Sequence, residues 1–81
     1  MTKKEIRILK GVKANPQYHP EHKALCIKKY KDIKKGEKVT LLVDEIFDDG
    51  VFFFINDKYC FNFFEESIGE WKFNEHFQRI N

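Results

Sequence analysis

From Ala24 onward, apolar and polar positions alternate with a period of two, not the 3.6 of a helix. This pattern predicts a strand from Ala24 to Tyr30 carrying Leu25, Ile27 and Tyr30, then a turn at Lys34-Lys35-Gly36-Glu37. A second strand is expected from Lys38 to Ile46, with Val39, Leu41 and Val43 on one face and Thr40, Leu42 and Asp44 on the other. Asp48-Asp49-Gly50 is a strong hairpin signal, because Gly and Asp tolerate the positive φ that such turns need. Val51 to Ile55 is apolar at every position, which predicts cover on both faces. Asn56-Asp57 makes the next tight turn, after which Tyr59, Phe61 and Phe63 alternate with Cys60 and Asn62. Beyond a loop from Glu65 to Gly69, Glu70 to Phe73 reads as a short strand with Trp71 and Phe73 on one face. Asn74-Glu75-His76 then reads as a single 3₁₀ turn, and Phe77 to Ile80 as a closing strand.

The chain before Ala24 is less regular. Residues 1–10 read either as a short strand through Ile6, Ile8 and Leu9 or as a frayed basic arm. Gly11 to Lys23 contains Asn15-Pro16 and His19-Pro20, whose prolines disfavour helix at the residues before them, so an irregular loop is expected. No segment shows a helical stripe of ten residues. The expectation is an all-β fold: a small antiparallel barrel of five to six strands with a short 3₁₀ turn before the last. An 81-residue chain has room for one domain, so residues 1–81 are read as one, with 1–23 as an N-terminal arm and 24–81 as the barrel.

Composition changes this picture in two places. The first is charge: residues 1–38 hold twelve Lys/Arg against four Asp/Glu, whereas residues 39–81 hold three against nine. The second is aromatic content, since eleven of the thirteen Phe, Tyr and Trp residues lie between Phe47 and Phe77. A barrel interior this small holds roughly five or six large side chains. The surplus either lies outside, where exposed aromatics rimmed by charge mark an interface, or is covered by residues 1–23 folding over that face. There is no apolar run long enough to span a bilayer and no signal-peptide pattern at Met1-Thr2-Lys3-Lys4-Glu5, so a cytoplasmic location is expected. Cys26 and Cys60 each sit in an apolar run and read as free thiols packed as small hydrophobes.

The residues from 24 on resemble an SH3-like barrel. Ala24-Leu25-Cys26-Ile27 is similar to that family's opening Ala-Leu strand, and Lys34-Lys35-Gly36-Glu37-Lys38-Val39 to its diverging turn. Gly69-Glu70-Trp71-Lys72-Phe73 followed by Asn74-Glu75-His76-Phe77 resembles the strand, 3₁₀ turn and closing strand at its end. The chain also looks like small, mostly uncharacterised SH3-like proteins encoded by phages and prophages of low-GC bacteria. The positions that match the proline-stacking aromatics of signalling SH3 domains are Cys26, Lys28 and His76, none of them aromatic, so the resemblance does not carry over polyproline recognition.

Candidate chemistry is sparse. His19, His22 and Cys26 form an H-x₂-H-x₃-C spacing that would need Cys60 as a fourth ligand for structural zinc; the reading preferred is two loop histidines and a core thiol, with no metal and no cofactor. Asp44-Glu45, Asp48-Asp49 and Glu65-Glu66 are paired carboxylates, but Asp48-Asp49 is explained by its turn. No nucleophile–base motif or phosphate-cradling glycine loop is present, so no enzymatic activity and no small-molecule substrate are expected. The leading expectation is a binding module meeting a protein partner (a host protein if phage-derived), or itself, through an aromatic-acidic surface of Phe52, Phe54, Phe64, Glu65, Glu66, Glu70 and Trp71. The alternative is weak, non-specific nucleic-acid binding through Lys28, Lys29, Lys31, Lys34 and Lys35, because lysine lacks the bidentate base readout of arginine. A third reading has the acidic half mimic nucleic acid on a basic host site.

Overall fold

The computed structural model describes residues 1–17, 22–64 and 68–80, and residues 68–70 by their backbone alone. Most of it is one antiparallel sheet of five strands curled into a half-barrel, with two short helices. In chain order these are α1 (Lys3–Ala14), β1 (His22–Cys26), β2 (Lys38–Ile46), β3 (Gly50–Ile55), β4 (Tyr59–Phe63), α2 (Ile68–His76) and β5 (Phe77–Arg79). The strand order across the sheet is β4-β3-β2-β1-β5, so the last strand returns to pair with the first. Among the described residues, no helix is long and apolar enough to cross a membrane.

The hairpins lie where the turn residues place them. Leu41 pairs with Ile55 and Ile46 with Gly50 across β2–β3, and Val51 pairs with Phe63 across β3–β4. Asp48 adopts φ 68° and Gly50 φ 98° in the first turn, and a Cβ on Gly50 would run into the carbonyl oxygen of Phe63. Asn56 and Asp57 both take positive φ (51° and 60°) at the centre of the tight turn that the Lys58 amide closes on the Ile55 carbonyl (3.0 Å).

The N-terminal segment corrects the expectation of a strand or frayed arm within residues 1–23. Residues Lys3–Ala14 form a helix, opened by a reciprocal capping box in which the Thr2 hydroxyl accepts from the Glu5 amide (3.1 Å) and the Thr2 amide donates to the Glu5 carboxylate (2.8 Å). It ends at Asn15, before Pro16. Ile8, Leu9 and Val12 share one face and pack with Leu42, Phe52 and Phe54 on the outer surface of the sheet. The alternation along β3 thus sends Phe53 and Ile55 into the half-barrel and Phe52 and Phe54 under α1. Of the two fates open to the surplus aromatics, Phe52 and Phe54 meet the covered one.

The second correction concerns residues 68–76, expected as loop, strand and 3₁₀ turn and found as the helix α2. Residues two apart share a face in a strand but lie about 200° apart on a helix. Phe73 therefore turns inward while Trp71 faces out, 76% exposed. The Phe73 ring meets Phe53 (4.7 Å between centroids), Phe61 (5.7 Å), Phe63 (6.1 Å) and Phe77 (5.6 Å), bridging β3 and β4 to β5 across the open side.

Two substitutions test this account of α1. Phe54→Ala empties a fully buried site between sheet and helix and should cost about 3–5 kcal/mol, a large part of the roughly 5–15 kcal/mol that holds a small domain together. Gly11→Ala, at an exposed helical position with open space around it, should stabilise by about 0.5–1 kcal/mol and raise Tm by about 2–8 °C. Thermal denaturation followed by circular dichroism measures both; an unchanged Tm for Gly11→Ala would contradict a formed helix there.

Candidate functional site

The sheet has two chemically opposite ends, and β2 runs between them. Its first residue, Lys38, adjoins the segment 27–38, which holds six lysines against Asp32 and Glu37. Its last residues lead into segment 44–50, with Asp44, Glu45, Asp48 and Asp49 and no Lys or Arg. Antiparallel pairing places the ends of β3 and β4 accordingly: turn 56–58 lies at the basic end, and Phe64 follows β4 at the acidic end. Segments 27–38 and 44–50 thus stand at opposite ends of the sheet, although Asp57 and Glu75 lie with the lysines and Lys4 reaches the acidic end.

At the acidic end, Phe47 is 91% exposed at the hairpin tip and Phe64 is 54% exposed. Together with Glu45, Ile46, Asp48, Gly50 and Val51 they line one shallow groove. Glu45 and Asp48 are exposed and make no ion pair among the described residues; Asp49 is met by Lys4 of α1 at 3.0 Å.

At the basic end, the connection from β1 to β2 is tied down along its length. The Cys26 amide donates to the Glu37 carbonyl (2.8 Å) and the Gly36 amide to the Cys26 carbonyl (2.7 Å). Tyr30 and Ile33 exchange backbone hydrogen bonds (3.0 and 2.8 Å), which closes a tight turn with Lys31 at φ 52°. The amides of Ile27 and Lys28 donate to the His76 carbonyl (2.8 and 3.4 Å), and the buried Cys26 thiol donates to the Lys28 carbonyl (3.2 Å). Asp32 then joins this loop to β4: Lys58 Nζ donates to Oδ2 (2.9 Å) and the Tyr59 hydroxyl to Oδ1 (2.6 Å). These bonds, Tyr59's first, hold the Asp32 carboxyl below its usual range, and Asp32 in turn holds the Tyr59 phenol and the Lys58 ammonium above theirs. Tyr30 meets Tyr59 edge-to-face at 5.4 Å, and the Lys31 ammonium stands over both rings, 5.5 and 5.0 Å from their centroids.

The sequence-derived residues are redistributed by this geometry. Phe52 and Phe54 are fully buried under α1 and offer no surface, because β3 is covered on both faces. Phe64 and Trp71 are exposed; Glu65 and Glu66 lie outside the described residues, and Glu70 lies in the first turn of α2. Lys28 is paired with Glu75 at 2.6 Å, Lys31 lies over the tyrosines, and Lys29, Lys34 and Lys35 are exposed without an ion pair among the described residues. Phe47, Tyr30 and Tyr59 are the surface aromatics that pattern reading passed over. Phe47's position beside Asp48-Asp49-Gly50, at a hairpin tip, was the available signal.

Cys60 does not stand beside Cys26 to complete the H-x₂-H-x₃-C spacing. His19 lies outside the described residues, Cys26 points into the half-barrel, and Cys60 lies on the other face against the α1 side, so the two thiols occupy different layers. No group of three metal-ligating side chains converges among the described residues. Burial, and then the hydrogen bond with Glu5, push the Cys60 thiol up. No family model, no curated protein and no solved structure matches this chain.

The Asp32 cluster makes a titration prediction. Its folded carboxyl is depressed, so its stabilising hold is present above the ordinary carboxylate range and is lost as pH falls through the lowered value. Asp32→Asn should bring one tyrosine phenol back down toward its usual value in a spectrophotometric titration. An unchanged profile would mean that Asp32 does not hold Tyr59.

Proposed function

We propose that this chain is a small, non-enzymatic binding module of SH3-like architecture that meets a protein partner through the acidic, aromatic tip of its β2–β3 hairpin. The SH3-like part is supported by the strand order, a four-stranded meander whose fifth strand returns to the first after a short helical segment. The binding part rests on one observation: Phe47 stands almost wholly in water at a turn, beside Phe64 and between the carboxylates of Glu45 and Asp48, which make no ion pair among the described residues. An aromatic ring held out this way gains only by being covered, and the carboxylates select what covers it. The complementary partner presents an apolar side chain flanked by Lys or Arg. Phage origin, a host protein as partner and a cytoplasmic setting belong to the same proposal through the sequence resemblance alone.

Nucleic-acid binding by the basic loop has less support, because Glu75 and Asp32 already engage Lys28 and Lys58. The nucleic-acid-mimic reading is weakened by Lys4 on Asp49.

Selection of peptides from a random display library against the immobilised chain tests the tip. The wild type should enrich peptides that combine basic with apolar residues, and Phe47→Ser/Phe64→Ser, at exposed positions, should lose that enrichment with its unfolding midpoint kept. Equal enrichment by both chains would overturn the assignment.

A further inference from the structure

The two ends of the sheet complement one another but cannot meet within one molecule. β2 has nine residues and is about 26 Å long at the usual strand rise, in a molecule measuring 30 × 27 × 23 Å. The acidic tip and the basic loop therefore point away from each other. Glu45 and Asp48 at one end, and Lys29, Lys34 and Lys35 at the other, make no ion pair among the described residues, although Arg79 shares a groove with Glu45.

The basic end also holds a receptacle. Met1, Thr2, Glu5, Tyr30, Lys31, Lys58, Tyr59 and Cys60 line a groove of about 280 Å³ between the start of α1 and the loop. Its walls are the half-buried rings of Tyr30 and Tyr59, set edge-to-face, and its rim carries the Lys31 ammonium, with Lys58 held by Asp32, and Glu5 on the α1 side. An exposed aromatic ring followed by a carboxylate has the chemistry to fill it: the ring against the tyrosines, the carboxylate on the Lys31 ammonium. Phe47-Asp48 is such a pair, carried by this same chain. The bonds that fix the loop leave the groove preformed, so docking does not have to order it.

We infer that a second copy of this chain docks head-to-tail, placing the Phe47-Asp48 tip of one copy in the Tyr30–Tyr59 groove of the next. This rests on the reading of the tip as a docking surface and names its occupant. The contact joins two different patches, so it is heterologous: every open assembly keeps one free tip and one free groove, and growth continues unless the rotation closes a ring. A contact between one hairpin tip and one groove is small, so the association is weak and is read at high protein concentration. Because exposed charges steer it, salt weakens it.

Sedimentation velocity over a concentration series, with three chains, tests this. In low salt the wild type should show an average mass that rises with concentration past that of a dimer, and that falls back in high salt. A tip-blocked variant, Glu45→Lys/Phe47→Ser, and a groove-blocked variant, Lys31→Glu/Lys34→Glu, should each remain monomeric; all four positions are exposed, and unfolding midpoints check that both variants stay folded. An equimolar mixture of the two should recover association and stop at twice the monomer mass, because only one intact tip and one intact groove remain. A wild type that stays monomeric, single variants that associate like the wild type, or a mixture that stays monomeric would each overturn the inference. A monomeric wild type whose tip still selects peptides would remove the second copy as occupant and leave the tip as a docking surface; failure of both experiments would remove both readings. A monomeric wild type that binds a labelled single-stranded oligonucleotide, with binding lost in Lys31→Glu/Lys34→Glu, would assign the loop to nucleic acid and also overturn the inference.

Discussion

A strand that is apolar at every position cannot leave either face in water, and β3 is such a strand. Phe53 and Ile55 require an interior on one side, and Phe52 and Phe54 require a lid on the other. The half-barrel meets the first need by curling β1, β2 and β4 around the inner face. Helix α1 meets the second. The two helices answer related problems, since α2 carries Phe73 into the gap that the curled sheet leaves between β4 and β5. Each helix is short and owes its stability mainly to the apolar face it buries, because isolated helices of this length are marginal in water.

The same arrangement separates the charges. Once β2 spans the sheet, whatever precedes it and whatever follows it lie at opposite ends, and in this chain those segments are lysine-rich and carboxylate-rich. The basic loop is not a loose lysine tract. Backbone bonds to β1 and His76, and the Asp32 bonds to Lys58 and Tyr59, fix it against the sheet. The acidic tip is constrained at Gly50, where only glycine avoids the Phe63 carbonyl. Two rigid ends of opposite charge are thus a consequence of the fold and of the placement of its connections.

The β2–β3–β4 meander was legible because turn chemistry and alternation agree there: Asp48-Asp49-Gly50 and Asn56-Asp57 need positive φ, and the runs between them keep a period of two. The helices were less legible for specific reasons. In α1, Ile6 and Ile8 imitate strand alternation, while the helical face is Ile8, Leu9 and Val12, announced by the Thr2-x-x-Glu5 cap. In α2, Trp71 and Phe73 look like one face of a strand, and helix geometry sends them in opposite directions. The candidate surface shifted for the same cause. Phe52 and Phe54 have the composition of an interface, but α1 lies on them, and exposure passes to Phe47 and Phe64 at the end of the hairpin.

Sequence alone determined the elements set by local chemistry: the hairpins, their turns, the two-sided apolar strand and the unequal charge on either side of residue 38. Tertiary structure decided which aromatics are seen by water and where the charges stand. Alternation specifies that a residue has a face without specifying what covers it; cover depends on α1 and α2 meeting the sheet through contacts remote in sequence. Tyr30 and Tyr59, twenty-nine positions apart, become neighbours only because the β1–β2 loop and the start of β4 share one end of the sheet.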